Sequence, residues 1–256
     1  MRSTTQLFWF PLALPTLDSP QWQSSLRAFA WGMRSVTSTV LTLVLLATYV
    51  GIGALAHDTH FSLGWVLAST LFVWAGPAQI ILLSTLGSGA TVVQAAVAVT
   101  VSAIRLFPMV VSVLPMLRTP QTKRRHLVLA THFTAVTLWV ECFRLLPQVP
   151  RERRVAFVHG LGAGLVSVSL TATTIGYGLA ANLPELFAAA ILLLTPLSFL
   201  LSTARNSRQL ADLLALALGL ALFPVVAMFH TGVDILISGI TAGTIAYAVH
   251  WWREQQ

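Results

Sequence analysis

Residues 61–86 read FSLGWVLASTLFVWAGPAQIILLSTL, a stretch without one charged side chain. A helix of about 20 residues, rising about 1.5 Å per residue, crosses a hydrocarbon core of about 30 Å. The stretch is therefore long enough to span a bilayer. Its middle, Trp74-Ala75-Gly76-Pro77-Ala78-Gln79, does not suit an unbroken rod. Proline has no backbone N–H to donate, and its ring clashes with the carbonyl four residues back. Carbonyls freed at membrane depth are tolerated only where protein or a watery cavity supplies donors. The stretch predicts a membrane helix broken at Gly76-Pro77, with Ser69, Thr70 and the amide of Gln79 beside the break.

Seven further apolar runs follow the same pattern, at roughly 35–56, 90–117, 127–146, 155–181, 185–204, 210–229 and 233–251. Membrane β-strands would be about 10 residues long with alternating polarity, and none of these runs alternates. Composition agrees: 56% of the 256 residues are apolar and 9% charged, with a mean hydropathy of +0.79. Soluble domains carry about 25% charged residues, so this chain has too few to cover a water-facing surface. The fold class is an all-α polytopic membrane protein with about 6–8 membrane helices. Residues 1–34 form an interfacial lead-in with Trp9, Trp22 and Trp31 as headgroup-level anchors. They lack the ordered regions of a signal peptide. Residues 35–252 form one transmembrane domain.

The net charge of +7 comes from 15 basic residues against 8 acidic ones. Such a balance raises nucleic acid as a partner, but the cations sit in short clusters between apolar runs, where they act as topology signals. No nucleic-acid partner is expected. If every run crosses, the cluster Arg118, Lys123, Arg124 and Arg125 falls outside, against the positive-inside bias. It falls inside if runs 61–86 and 127–146 each enter and leave by one face. A single cysteine, Cys142, excludes disulfide scaffolds and cysteine-based metal sites. Neither metal nor cofactor is expected.

Arg105 lies near the centre of the third run, where facing lipid would cost about 2.5–3.5 kcal/mol or more. It either binds a substrate carboxylate through its planar fork or ties structurally to Glu141 or to a broken-helix carbonyl. Glu141 and Arg144, three apart on one helix, are placed to satisfy each other. His132 carries an imidazole, the side chain best suited to a proton step, and equally suits a hydrogen-bonded structural role. Thr195-Pro196 offers a second proline interruption. Gly51-Ile52-Gly53-Ala54, Gly160-Leu161-Gly162-Ala163-Gly164 and the Gly239/Gly243 pair fit small-residue helix packing. HExxH, GxSxG, GxGD-like and paired-carboxylate constellations are missing, which leaves an intramembrane hydrolase without visible machinery. Besides a transporter, the sequence leaves open a non-transporting membrane scaffold and, last, an intramembrane enzyme.

Ser69-Thr70, Ala75-Gly76-Pro77-Ala78-Gln79, Ile104-Arg105 and Leu114-Pro115-Met116-Leu117-Arg118 occur in an order and spacing that resembles the AzlC-type branched-chain amino acid permeases. The likeness runs over roughly residues 40–250. Ala103 stands where the family pattern has asparagine, and Thr131-His132-Phe133 where it has Thr-Asp-Glu. The resemblance implies a gradient-driven secondary exporter of branched-chain or similar apolar amino acids in the inner (cytoplasmic) membrane, paired with a small AzlD-like membrane subunit. It implies Ser69, Thr70, Trp74, Gly76, Pro77, Gln79 and Arg105 as substrate-binding positions. Trp74, Phe72 and Phe107 would wall an apolar pocket, and His132 and Glu141 are candidates for proton or ion coupling.

Overall fold

A computed structural model describes residues 14–182, 210–229 and 234–254, with the isolated positions 184, 190, 193, 197 and 200 between the first two stretches. Thr195-Pro196 and Trp9 lie outside the described residues. Every regular element described is helical: α1 (Ser25–Ser35), α2 (Val40–Asp58), α3 (Leu63–Phe72), α4 (Gly76–Gly87), α5 (Val92–Ala103), α6 (Leu106–Leu117), α7 (Arg124–His132), α8 (Val136–Leu145), α9 (Arg154–Asn182), α10 (Leu210–Ala227) and α11 (Asp234–Glu254). The all-α membrane class is thus the observed one. Leu41–Asp58, Arg151–Asn182 and Leu210–Ala227 are each long and apolar enough to cross a membrane unbroken, and α5 with α6 adds a fourth span if counted as one.

The second run is divided between α3 and α4, as its Gly-Pro step predicts. Two further runs that read as continuous are divided as well: the third into α5 and α6, the fourth into α7 and α8. For the third, the cause is Pro108. It occupies the first turn of α6, where a missing N–H does no harm, but its ring excludes the carbonyl four residues back, at Ile104. Pro77 stands in the same relation to Val73. Both helices stop next to that excluded carbonyl.

The chain forms two compact units interleaved along the sequence. The first takes Met1–Ala47, Leu67–Ala75 and Ile104–Ala172; the second takes Thr48–Val66, Gly76–Ala103 and Thr173–Gln256. Because the chain changes unit five times, no single linker divides them.

In the first unit α1 lies against the start of α9. A Cβ on Gly32 would land on the Phe157 carbonyl, and one on Gly160 would land on the Phe29 carbonyl. A helix backbone can come this close only because the glycine facing it carries no Cβ. The Arg153 guanidinium donates to Ser25 Oγ at 2.8 Å and to the Gln23 carbonyl, fixing the start of α1. Trp22 is not an exposed anchor: it is buried, donates Nε1–H to the Thr16 carbonyl at 3.0 Å, and meets Phe157 edge-on. Arg154 donates to the Met116 carbonyl at 3.1 Å, capping the end of α6, so this cluster does structural work beyond setting topology.

The second unit repeats the close approach. A Cβ at Gly53 would strike the Thr173 carbonyl, and one at Gly176 the Val50 carbonyl. α10 and α11 pack together, but not through Gly239 and Gly243, which have open space around their Cα atoms. Ser238, Ala242 and Ala246 are buried instead, and Ala242 meets Gly219 of α10. The stripe of small residues is offset by one position from the glycines because alanine and serine serve this spacing equally well.

Candidate functional site

At the first break the helical ladder stops at Val73, whose N–H still reaches the Ser69 carbonyl at 2.7 Å. Ala75 N–H, which an unbroken helix would aim at the Leu71 carbonyl, turns to Val73 at 2.6 Å. Leu71 is thereby orphaned, and His132 repairs it: Nε2 lies 2.9 Å from the Leu71 carbonyl. A carbonyl only accepts, so Nε2 carries the proton. Trp74 answers in the opposite direction, donating Nε1–H to the Phe133 carbonyl at 2.8 Å. Phe133 sits in the gap between α7 and α8. The two interrupted segments therefore hold each other's open backbone, all within the first unit.

Ser69, Thr70, Trp74 and Gln79 are buried. Gln79, in the first turn of α4, donates through Nε2 to the Val66 carbonyl at 3.4 Å. Ser69, Thr70 and Trp74 belong to the first unit, and Gly76, Pro77 and Gln79 to the second. Trp74 is committed through its indole N–H. Phe72 and Phe107, expected as pocket walls, are instead 75% and 72% exposed.

The second break differs. Phe107 N–H bonds the Ile104 carbonyl at 3.0 Å, but Arg105 has neither an ion pair nor a hydrogen bond to any described residue. Its side chain is exposed. The tie to Glu141 or to a broken-helix carbonyl is not made among the described residues. Glu141 is engaged elsewhere: buried at 1% exposure, it accepts from Thr39 Oγ1 at 2.7 Å and from Arg144 Nε at 2.9 Å. The expected Glu141–Arg144 pair is present, and Thr39 joins the start of α2 to it. Sequence reasoning missed Pro108 and Thr39. Four-residue spacing from Pro108 back to the carbonyl its ring excludes, at Ile104, was the available signal for the first, and nothing local marked the second.

Short helices that stop inside apolar runs, with a cation and a buried amide at the stops, define a class: helical membrane proteins built on interrupted spans, an architecture that transporters use to present backbone and charge at mid-membrane. The family match gives the particular group. Residues 40–183 match the AzlC protein family, from the start of α2 to just past the end of α9. That is more than half of the chain, and the chain belongs to this family. The match includes all three interrupted runs. No curated protein and no solved structure matches the chain. AzlC proteins form a transport-associated membrane family rather than an enzyme family.

Proposed function

We propose that this protein is a gradient-driven secondary transporter that exports branched-chain or similarly apolar amino acids across the cytoplasmic membrane. The observation that carries the reading is Arg105: a permanently charged guanidinium beside a break in an apolar segment, with no carboxylate partner among the described residues. An ion so placed needs either a partner or water, and a substrate carboxylate with its attendant water meets both needs. The fork geometry of arginine suits a carboxylate bidentately. Ser69, Thr70 and Gln79 are proposed as polar contacts beside the first break, with Gly76 and Pro77 providing the open backbone. Trp74 acts through Phe133, holding that break in shape.

For coupling, His132 retains a free role at Nδ1, since Nε2–H is given to Leu71. Protonation there would leave the Leu71 bond in place and add a charge next to it. Glu141 is the second coupling candidate, and a proton on it would compete with Arg144 and Thr39. The working unit is proposed to include a small AzlD-like membrane subunit.

The test is efflux from proteoliposomes containing the chain with that subunit and loaded with labelled leucine or valine under an imposed proton gradient. Gradient-dependent efflux above protein-free vesicles is expected. Absence of efflux for all apolar amino acids tried would favour a non-transporting scaffold.

A further inference from the structure

Around α1 the side chains fall into three stripes. Ala28, Gly32 and Ser35 are buried, and Gly32 meets Phe157 of α9. Leu26 and Met33 are exposed apolar groups at 76% and 42%. Between these two stripes run Arg27, Trp31 and Arg34, spaced so that they share one face at about 100° per residue. Arg27 and Arg34 are two turns apart, about 10 Å along the axis. With Ala30 and Trp31 they line an open cavity of about 260 Å³. The Arg34 guanidinium sits over the Trp31 ring, 5.6 Å from its centroid, which fixes one wall. Neither arginine pairs with a carboxylate among the described residues.

We infer that this cavity binds the phosphate headgroup of an anionic phospholipid. Two arginines without a carboxylate partner among the described residues, lining one cavity with the small Ala30, match a phosphate oxyanion, which accepts bidentately from arginine. The neighbouring stripe decides between a lipid and a free anion. Leu26 and Met33 flank the arginines on the side opposite the buried Ala28 and Ser35, and although the Met33 backbone meets Gly164 of α9, both side chains stay exposed, where acyl chains would lie against them. α1 is too short to span, and the membrane-crossing segment of α2 begins at Leu41, close after Arg34. That places Trp31 and Arg34 at headgroup level, where aromatic and basic residues gather. Because α1 is held down by the Gly32 and Gly160 contacts and by Arg153, the site is fixed in shape rather than carried on a loose helix. The inference does not depend on which solute is transported.

The experiment follows thermal unfolding of the full chain in neutral detergent during titration with phosphatidylglycerol, phosphatidylcholine or inorganic phosphate. Phosphatidylglycerol is expected to raise the midpoint, and the other two are not. Arg27→Gln/Arg34→Gln is expected to weaken the apparent affinity for phosphatidylglycerol by about tenfold or more. Arg124→Gln/Arg125→Gln, which removes the same charge elsewhere, is expected to leave it unchanged. An equal response to phosphatidylcholine, or equal weakening by the two double variants, overturns the site. A full response to inorganic phosphate alone overturns the lipid assignment. Should the double variant fail to fold, Arg27→Gln, which keeps the Arg34–Trp31 stack, must still reduce the response; an unchanged one contradicts the inference.

Discussion

The breaks at Val73 and Ile104 share a cause and have opposite outcomes. Each lies four residues before a proline, Pro77 or Pro108, whose ring displaces the carbonyl it would otherwise cover. At the first, the orphaned Leu71 carbonyl receives His132, and Trp74 returns a donor to Phe133. At the second, the break leads into an exposed Arg105 with no polar partner among the described residues. A break closed by protein donors is a structural joint. A break that ends in an unmatched charge keeps its binding capacity for something else. The two bonds that close the first break should therefore respond to mutation mainly in stability, and Arg105 at the second mainly in transport.

The largest effect is expected from Arg105→Ala. Efflux of labelled leucine from proteoliposomes should fall to the protein-free background, while membrane abundance and unfolding midpoint stay at wild-type values. A marked loss of stability would show that Arg105 is a joint after all. Next come Trp74→Phe and His132→Ala, each leaving a carbonyl short of a donor at a cost of about 1–3 kcal/mol. Both should lower the unfolding midpoint. Because both bonds join the same two segments, the double variant should cost less than the sum of the singles; additive losses would separate the two bonds. The smallest effects belong to the prolines. Pro108→Ala restores a donor facing Ile104, and amide exchange over residues 104–108 should slow by about tenfold, the equivalent of about 1.4 kcal/mol. Pro77→Ala should change exchange over residues 73–77 less, since His132 and Trp74 already hold that turn.

Local chemistry explains which of these features the sequence disclosed. The membrane class follows from runs of apolar residues, and the first break from a Gly-Pro step in mid-run. The Glu141–Arg144 pair follows from helical spacing alone. Pro108 gives little signal because it stands between Phe107 and Met109 in a run that otherwise reads as continuous, and its effect falls four residues upstream. The gap between α7 and α8 has no glycine or proline within it; Phe133, Thr134 and Ala135 carry no local signal for a stop. The His132–Leu71 and Trp74–Phe133 bonds depend on which runs become neighbours, and hydropathy is silent on that. The same holds for Gly32 against Phe157 and Gly160 against Phe29: which backbone each glycine meets depends on the pairing of α1 with α9.

Transport by this account requires that water reach the second break. Introducing Arg105→Cys in a Cys142→Ala background, alongside Ala78→Cys as a buried reference at the first break, allows this to be read directly with a membrane-impermeant thiol reagent. The account predicts that the thiol at position 105 is labelled in proteoliposomes and that the one at position 78 is not. A position 105 as unreactive as position 78 would contradict it.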